Sequence, residues 1–444
     1  MRISLLRLLT QTSALLTLFS CSVQKQITQS AKENVLATPA LQTAHVGISI
    51  YEPATNKYWF DYQGDHYFVP ASNTKLPTCY AAMKYLGDSL TGIKYDDSES
   101  DLKIIGAGDP TFLHPDFKKN PVFDFIKNSS FKDIRLYEQA PPLNHTSFKA
   151  FGSGWSWNDY NENYMAQRSY FPVYGNIARF TLRGNRIEVS PSFFQNKLFQ
   201  FDDSLTSFHI ERMQWTNGFF ATKGGGKYQE VPIVQGFDDP IVSVEDSLLC
   251  DTLHMIIGYG HIQLASMSHL KRVHSQPTDS LLKPMMHRSD NFFAEQTLLM
   301  VSNEILGYMS DGEVIDTLLK TDFKDLPQKP RWADGSGLSR YNLFSPRDLV
   351  TILNKMKNEF GMDRIKTILP TGGEGTISSY YKTETGYIFG KTGTLSGVVA
   401  FSGFLYTKKG RLLIFSTLVN NHTGSATDIR KAIEKFLREI RNKY

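Results

Sequence analysis

The two ends of this chain read as pieces of one sheet-and-helix layer, and a long stretch of different character separates them. Near the start, Val46, Ile48 and Ile50 alternate onto one face of a strand, and Pro53-Ala54-Thr55-Asn56 reads as a turn. Lys57 to Tyr62 reads as a second strand, and a helix follows from Ser72 to about Tyr85, stopped by Gly87. Near the end, strands over 387–394, 398–406 and 412–419 precede an amphipathic helix. That helix carries Ile429, Ala432, Ile433, Phe436, Leu437 and Ile440 on one stripe. The stretch from 91 to 279 is rich in Asp, Asn, Ser, Gly and aromatics, with short strands such as 178–182 and 186–189. Helical character returns at about 280, with Phe292 to Leu306 a buried candidate. Another runs from Pro346 to about Met356, capped by Ser345.

The expected architecture is therefore an α/β (α+β) fold: an antiparallel sheet flanked by helices, interrupted by a mainly β insertion. Residues 46–90 and 280–444 form the first part and 91–279 the second. A length of 444 residues suits more than one core. The net charge of +4 and the lack of a dense Lys/Arg run exclude a nucleic-acid partner.

Residues 1–21 read as a signal peptide, with Arg2 and Arg7 ahead of a short apolar run. The run ends in Leu18-Phe19-Ser20-Cys21, which resembles a bacterial lipobox and would make Cys21 the lipidated anchor. Ordinary cleavage nearby is the alternative. Residues 22–45 read as a flexible tether. Cys79 and Cys250 either pair or stay as free thiols.

Three short motifs stand in order: Ser72-Asn73-Thr74-Lys75, Ser289-Asp290-Asn291 and Lys391-Thr392-Gly393. They match the S-x-x-K, S-x-N and K-T-G elements of serine acyl-transfer enzymes. A serine hydroxyl needs a base. Residues three apart at a helix start share a face, so Lys75 can reach Ser72. A lysine acts as base only when burial or a second cation lowers its pKa, and Lys391 is the candidate second cation. Helix capping by Ser289 is compatible with either reading. Two other patterns are set aside: Lys223-Gly224-Gly225-Gly226-Lys227 lacks the residues of a P-loop, and His254 and His261 lack metal-ligand spacing.

With Gly106-Ala107-Gly108-Asp109-Pro110-Thr111 and Asp334-Gly335-Ser336-Gly337-Leu338-Ser339-Arg340, the motifs resemble the D-alanyl-D-alanine carboxypeptidase/endopeptidase family. These are the class C low-molecular-mass penicillin-binding proteins. The 217 positions between Ser72 and Ser289 suit that family rather than a β-lactamase. The resemblance implies an acyl-enzyme on Ser72, with Lys75 as general base and Ser289 relaying a proton. It implies that Asn291 binds the substrate backbone and that Lys391, Thr392, Gly393 and Thr394 form the strand holding the terminal carboxylate. The amides of Ser72 and Thr394 would make the oxyanion hole. Arg340 and Asp159 are candidates for contacting the stem peptide, and a structural role fits each equally. The implied partners are peptidoglycan peptides, β-lactams and, through Cys21, a membrane of the periplasm or cell envelope. No metal or cofactor is required. A β-lactamase-like hydrolase and a non-catalytic envelope-binding module are the competing readings.

Overall fold

The computed structural model describes residues 24–184, 186–200, 208–222, 226–235, 244–263 and 270–444. Cys21 and Lys223-Gly224-Gly225 lie outside them. Taken in chain order, α1 (residues 24–31) runs through a π turn at Lys32–Leu36 toward β1 (His45–Glu52) and β2 (Lys57–Tyr62). A 3-10 turn at Ala71–Thr74 leads into α2 (Lys75–Tyr85). The middle of the chain supplies β3 (Ser89–Asp96), β4 (Leu102–Gly106), α3 (Pro121–Lys127), β5 (Ile134–Ala140), β6 (Ile177–Arg183) and β7 (Arg186–Ser190). It continues with β8 (Leu198–Gln200), β9 (Ile210–Arg212), β10 (Phe219–Ala221), β11 (Tyr228–Pro232), α4 (Val244–Leu253), β12 (Gly258–Gln263) and β13 (Lys271–Pro277). The last part holds α5 (Thr278–His287), α6 (Asn291–Ile305), α7 (Asp311–Lys320), α8 (Pro346–Ile368), β14 (Ile388–Leu395), β15 (Val398–Tyr406), β16 (Leu412–Asn420) and α9 (Ala426–Lys443).

The chain ends meet in one antiparallel five-stranded sheet of order β14-β15-β16-β1-β2. Both faces are covered, which is why β15 and β16 are almost continuously apolar rather than alternating. Val46, Ile48, Phe415 and Val419 pack with Ile433, Phe436 and Leu437 of α9. On the other face Phe404, Ile414 and Leu418 join Leu76, Tyr80, Met285, Phe293 and Leu349 of the helical layer. The middle of the chain builds a second five-stranded sheet, β12-β5-β4-β3-β13, and two three-stranded sheets around their own core, which includes Ile93, Ile104, Leu136, Phe180 and Phe219.

Several expectations need correction. Residues 22–45 are not a tether throughout: Ile27, Ala31 and Val35 are buried in the core shared with α9. The apolar positions recur every four residues among polar ones, so one face is sticky although the composition looks like a linker. The helix after the first motif begins as a 3-10 turn, and Pro77 falls in the first turn of α2, where its missing N–H costs little. The helix from Pro346 runs on to Ile368 across a break at Gly361 (φ 75°). Of the two readings left open for Cys79 and Cys250, free thiols hold, the former buried and the latter half-buried.

Candidate active site

Ala71 sits in the left-handed region (φ 47°), which turns the chain sharply into the 3-10 turn carrying Ser72. Lys75 Nζ donates to Ser72 Oγ at 3.1 Å, to Asn291 Oδ1 at 2.7 Å and to the Ser336 carbonyl at 2.8 Å. The first two motifs and the 334–340 loop therefore meet, because α2, α6 and that loop converge on one amine. Lys75 has no exposed surface, and burial pulls its pKa down to about 8 against the opposing pull of Asp334, Glu295 and Asp290.

The loop that supplies Ser336 is held by its own acids. Asp334 accepts from the amides of Gly337 (2.8 Å) and Ser339 (2.6 Å), from Asn342 Nδ2 (2.8 Å) and from Trp155 Nε1 (2.9 Å). Glu295 accepts from the Ser336 amide at 2.8 Å, and burial followed by Asp334 pushes its pKa up to about 7. Gly337 (φ 83°) is required here: a Cβ would lie 1.9 Å from the Ala71 carbonyl oxygen.

Ser289 occupies the turn between α5 and α6 with φ 63°, a conformation that costs on the order of 1–3 kcal/mol outside glycine. It does not cap α6. Asp290 does, accepting from the Phe293 amide at 3.0 Å, so the Ser289 hydroxyl is left for the cleft. Lys391 Nζ donates to it at 2.8 Å and to the Thr392 carbonyl at 2.8 Å. Burial, then the nearby Lys75, holds Lys391 well below the usual lysine range. Burial is the largest cause of lowering at both lysines, and their mutual proximity acts in the same direction.

β14 is an edge strand. The Gly390 amide points away from β15, donating to the Pro370 carbonyl at 3.1 Å. By the strand period of two, the amides of Thr392 and Thr394 face the same open edge. A Cβ at Gly393 would stand 2.6 Å from the Pro70 carbonyl and 3.0 Å from the Ser72 nitrogen. Glycine there lets the strand lie against the turn that carries Ser72, and Asn73 Nδ2 pins it by donating to the Lys391 carbonyl at 3.0 Å.

Between these elements lies a cavity of about 350 Å³ lined by Ser72, Ser289, Thr376, Tyr380, Thr392, Thr394 and Arg430. Thr392 Oγ1 accepts from or donates to Thr376 Oγ1 at 2.7 Å, and Arg430 Nη2 donates to Thr394 Oγ1 at 2.9 Å. Sequence reading missed Thr376, Tyr380 and Arg430, which belong to no motif and come from a loop and from α9. Arg430 lies next to Ile429 of the apolar stripe, and nothing in the helix pattern marks it as facing a cleft.

The two remaining candidates are not among the residues that line this cavity. Arg340 is exposed and donates from Nη1 and Nη2 to the Ser396 carbonyl at 3.2 Å, beside the β14–β15 turn. Asp159 lies near the Tyr164 hydroxyl, and the Tyr164 carbonyl accepts from Asn291 Nδ2 at 3.3 Å. Among the described residues no cluster could hold a metal ion, and no helix is long and apolar enough to cross a membrane.

Comparison with known proteins adds the lineage. The profile of the D-Ala-D-Ala carboxypeptidase 3 (S13) family matches residues 28–200 and 247–440. A D-alanyl-D-alanine carboxypeptidase of Actinomadura sp. (strain R39) is 25% identical over 88% of this chain and 80% of its own length. The D-alanyl-D-alanine carboxypeptidase DacB of Haemophilus influenzae is 23% identical over 94% of each. The crystal structure of penicillin-binding protein 4 from H. influenzae shares the fold, with a TM-score of 0.71 over 94% of this chain and 98% of that one at 20% identity. The family match takes in both chain ends and most of the stretch between them, and this chain belongs to the D-Ala-D-Ala carboxypeptidase 3 (S13) family of serine peptidases.

Proposed function

We propose that this protein hydrolyses the D-Ala-D-Ala bond of peptidoglycan stem peptides through an ester on Ser72, and that it cuts D-Ala cross-links by the same chemistry. The observation that carries this reading is the 3.1 Å contact between Ser72 Oγ and a fully buried Lys75 whose pKa is lowered to about 8. Lys75 takes the Ser72 proton as Oγ bonds to the carbonyl carbon of the penultimate D-Ala. The amides of Ser72 and Thr394 bind the oxyanion, a contribution of ~10²–10³ in rate for each donor. The C–N bond then breaks, and the leaving amine takes its proton through Ser289, which Lys391 holds at 2.8 Å. Water completes the cycle by hydrolysing the ester. Asn291 orients the substrate backbone, while Thr392 and Thr394 face the leaving residue. Arg340 and Asp159 border the path of the stem peptide.

Members of the lineage support the inhibitor class: the H. influenzae protein has been crystallised in complex with a β-lactam. A β-lactamase must clear its acyl-enzyme fast, and none of the described residues lining the 350 Å³ cavity carries a carboxylate. A penicillin ester on Ser72 should therefore persist. Labelling with a fluorescent penicillin tests this. The wild-type chain should carry a slowly released label, and Ser72→Ala should carry none. Equal labelling of the variant would end the assignment. A non-catalytic envelope-binding module would likewise fail to label.

We also assign an envelope location, with residues 1–21 as signal and Cys21 as the lipidated residue, on the lipobox-like Leu18-Phe19-Ser20-Cys21. Incorporation of labelled palmitate that disappears in Cys21→Ser is the expected outcome; incorporation unchanged by the substitution would refute it.

A further inference from the structure

The leaving residue of such a substrate ends in a carboxylate, and the cleft must supply its counter-charge. Lys391 is poorly suited. It is fully buried and commits its amine to Ser289 Oγ and the Thr392 carbonyl, both at 2.8 Å. Burial and Lys75 also disfavour its charged form. Lys75 is in the same position, with three acceptors already around it. Among the residues lining the 350 Å³ cavity, Arg430 is the one with a charged side chain. A guanidinium stays protonated whatever its surroundings and offers a planar fork that matches a carboxylate. Arg430 is half-buried on α9, and no ion pair to it is found among the described residues. Its Nη2 rests 2.9 Å from Thr394 Oγ1, on the strand whose amides face the cleft.

From this arrangement, and resting on the reading of the cleft given above, we infer that Arg430 is the specificity-determining residue that binds the free carboxylate of the leaving residue, with the hydroxyls of Thr392 and Thr394. Lys391 then serves the proton path rather than the carboxylate. The site accepts a leaving residue only when the carbon bearing the released amine also carries a free carboxylate. A cross-link whose amine-donating residue is amidated at that carboxyl is resistant, while the unamidated cross-link is cut.

The test compares an acylated D-Ala-D-Ala peptide with the same peptide ending in D-alaninamide, on the full chain. A lost charge-assisted hydrogen bond corresponds to a change of about 10–100-fold. Wild type should prefer the acid by that factor in kcat/KM. Arg430→Ala should lose that factor on the acid and change on the amide by less than about twofold, collapsing the preference. Arg430→Lys should keep part of it. Equal losses on both substrates, or no loss on either, would overturn the inference. Binding of the two peptides to Ser72→Ala and to Ser72→Ala/Arg430→Ala, measured by calorimetry, asks the same question without chemistry. Acid preference in the first and not in the second supports Arg430 even if Ser72 is not the nucleophile. Penicillin labelling of wild type reports on Ser72 separately.

Discussion

The Lys75 amine is surrounded by oxygen acceptors and has no exposure, so its proton is held by geometry and disfavoured by burial. A pKa of about 8 leaves about a tenth of the population neutral at pH 7. Only the neutral amine can take the Ser72 proton. The acylation kcat/KM should therefore rise about tenfold per pH unit below about 8 and flatten above it, since this parameter reports the free enzyme. A stopped-flow pH profile of penicillin acylation checks it; a flat or falling profile through that window rules Lys75 out as base. The lowered value works in the same direction on stability, since the folded state sheds this proton before the unfolded chain does and gains stability as pH climbs from about 8. Lys75→Arg keeps charge but cannot be deprotonated, and should cut acylation by ~10²–10⁴. At this scale the sequence was highly legible. Lys75 bonds Ser72 and Asn291, Lys391 bonds Ser289, and Ser72 and Ser289 line the same cavity. Arg430 and Thr376 were not legible, because their place in the cleft depends on how α9 and a loop dock, which no local pattern encodes.

Elements were legible where caps and stops coincide with the apolar period. Ser345 makes a capping box with Asp348, and Gly87 in the left-handed region follows the end of α2. They were hidden where polar composition covers a buried stripe, as in α1. Its packing gives a direct prediction. Ile27 is 1% exposed against the core it shares with Ile433 and Phe436. Ile27→Ala should lower unfolding stability by about 2–5 kcal/mol in a denaturant melt. A tether would give no change. β14 and the nucleophile turn form the other junction that decides function. Gly393→Ala places a methyl against the Pro70 carbonyl and the Ser72 nitrogen. The strand must back away from Ser72, which separates the two oxyanion amides. Acylation should fall by ~10²–10³, the loss typical of one oxyanion donor, with the far-ultraviolet spectrum retained.

Across the whole molecule, α6 joins the cleft to the middle of the chain, beside the contact of Trp155 with Asp334. Its first two turns carry Asn291, bound to Lys75, and Glu295, bound to the Ser336 amide. Gln296 and Asn303, seven residues apart and so on one helix face, reach the other way. Gln296 Nε2 donates to the carbonyls of Gly108 (2.8 Å) and Ser169 (2.9 Å), and its Oε1 accepts from the Ser169 amide at 3.2 Å. Asn303 Oδ1 accepts from Lys94 Nζ of β3 at 2.7 Å. The Gly108 contact explains the glycine-rich segment quoted from the sequence: it presents a backbone carbonyl to α6 rather than a side chain to substrate. Gln296 is fully buried, so replacing it with leucine strands two carbonyls and an amide without water to rescue them. Gln296→Leu should cost about 2–6 kcal/mol of unfolding free energy. Lys75 keeps its partners on Asn291 and Ser336 in that variant, so the folded fraction should still acylate within about tenfold of wild type. Calorimetry beside penicillin labelling at low temperature separates the two effects. Full stability with lost labelling would mean that the middle of the chain acts on the cleft directly instead of through the anchoring of α6.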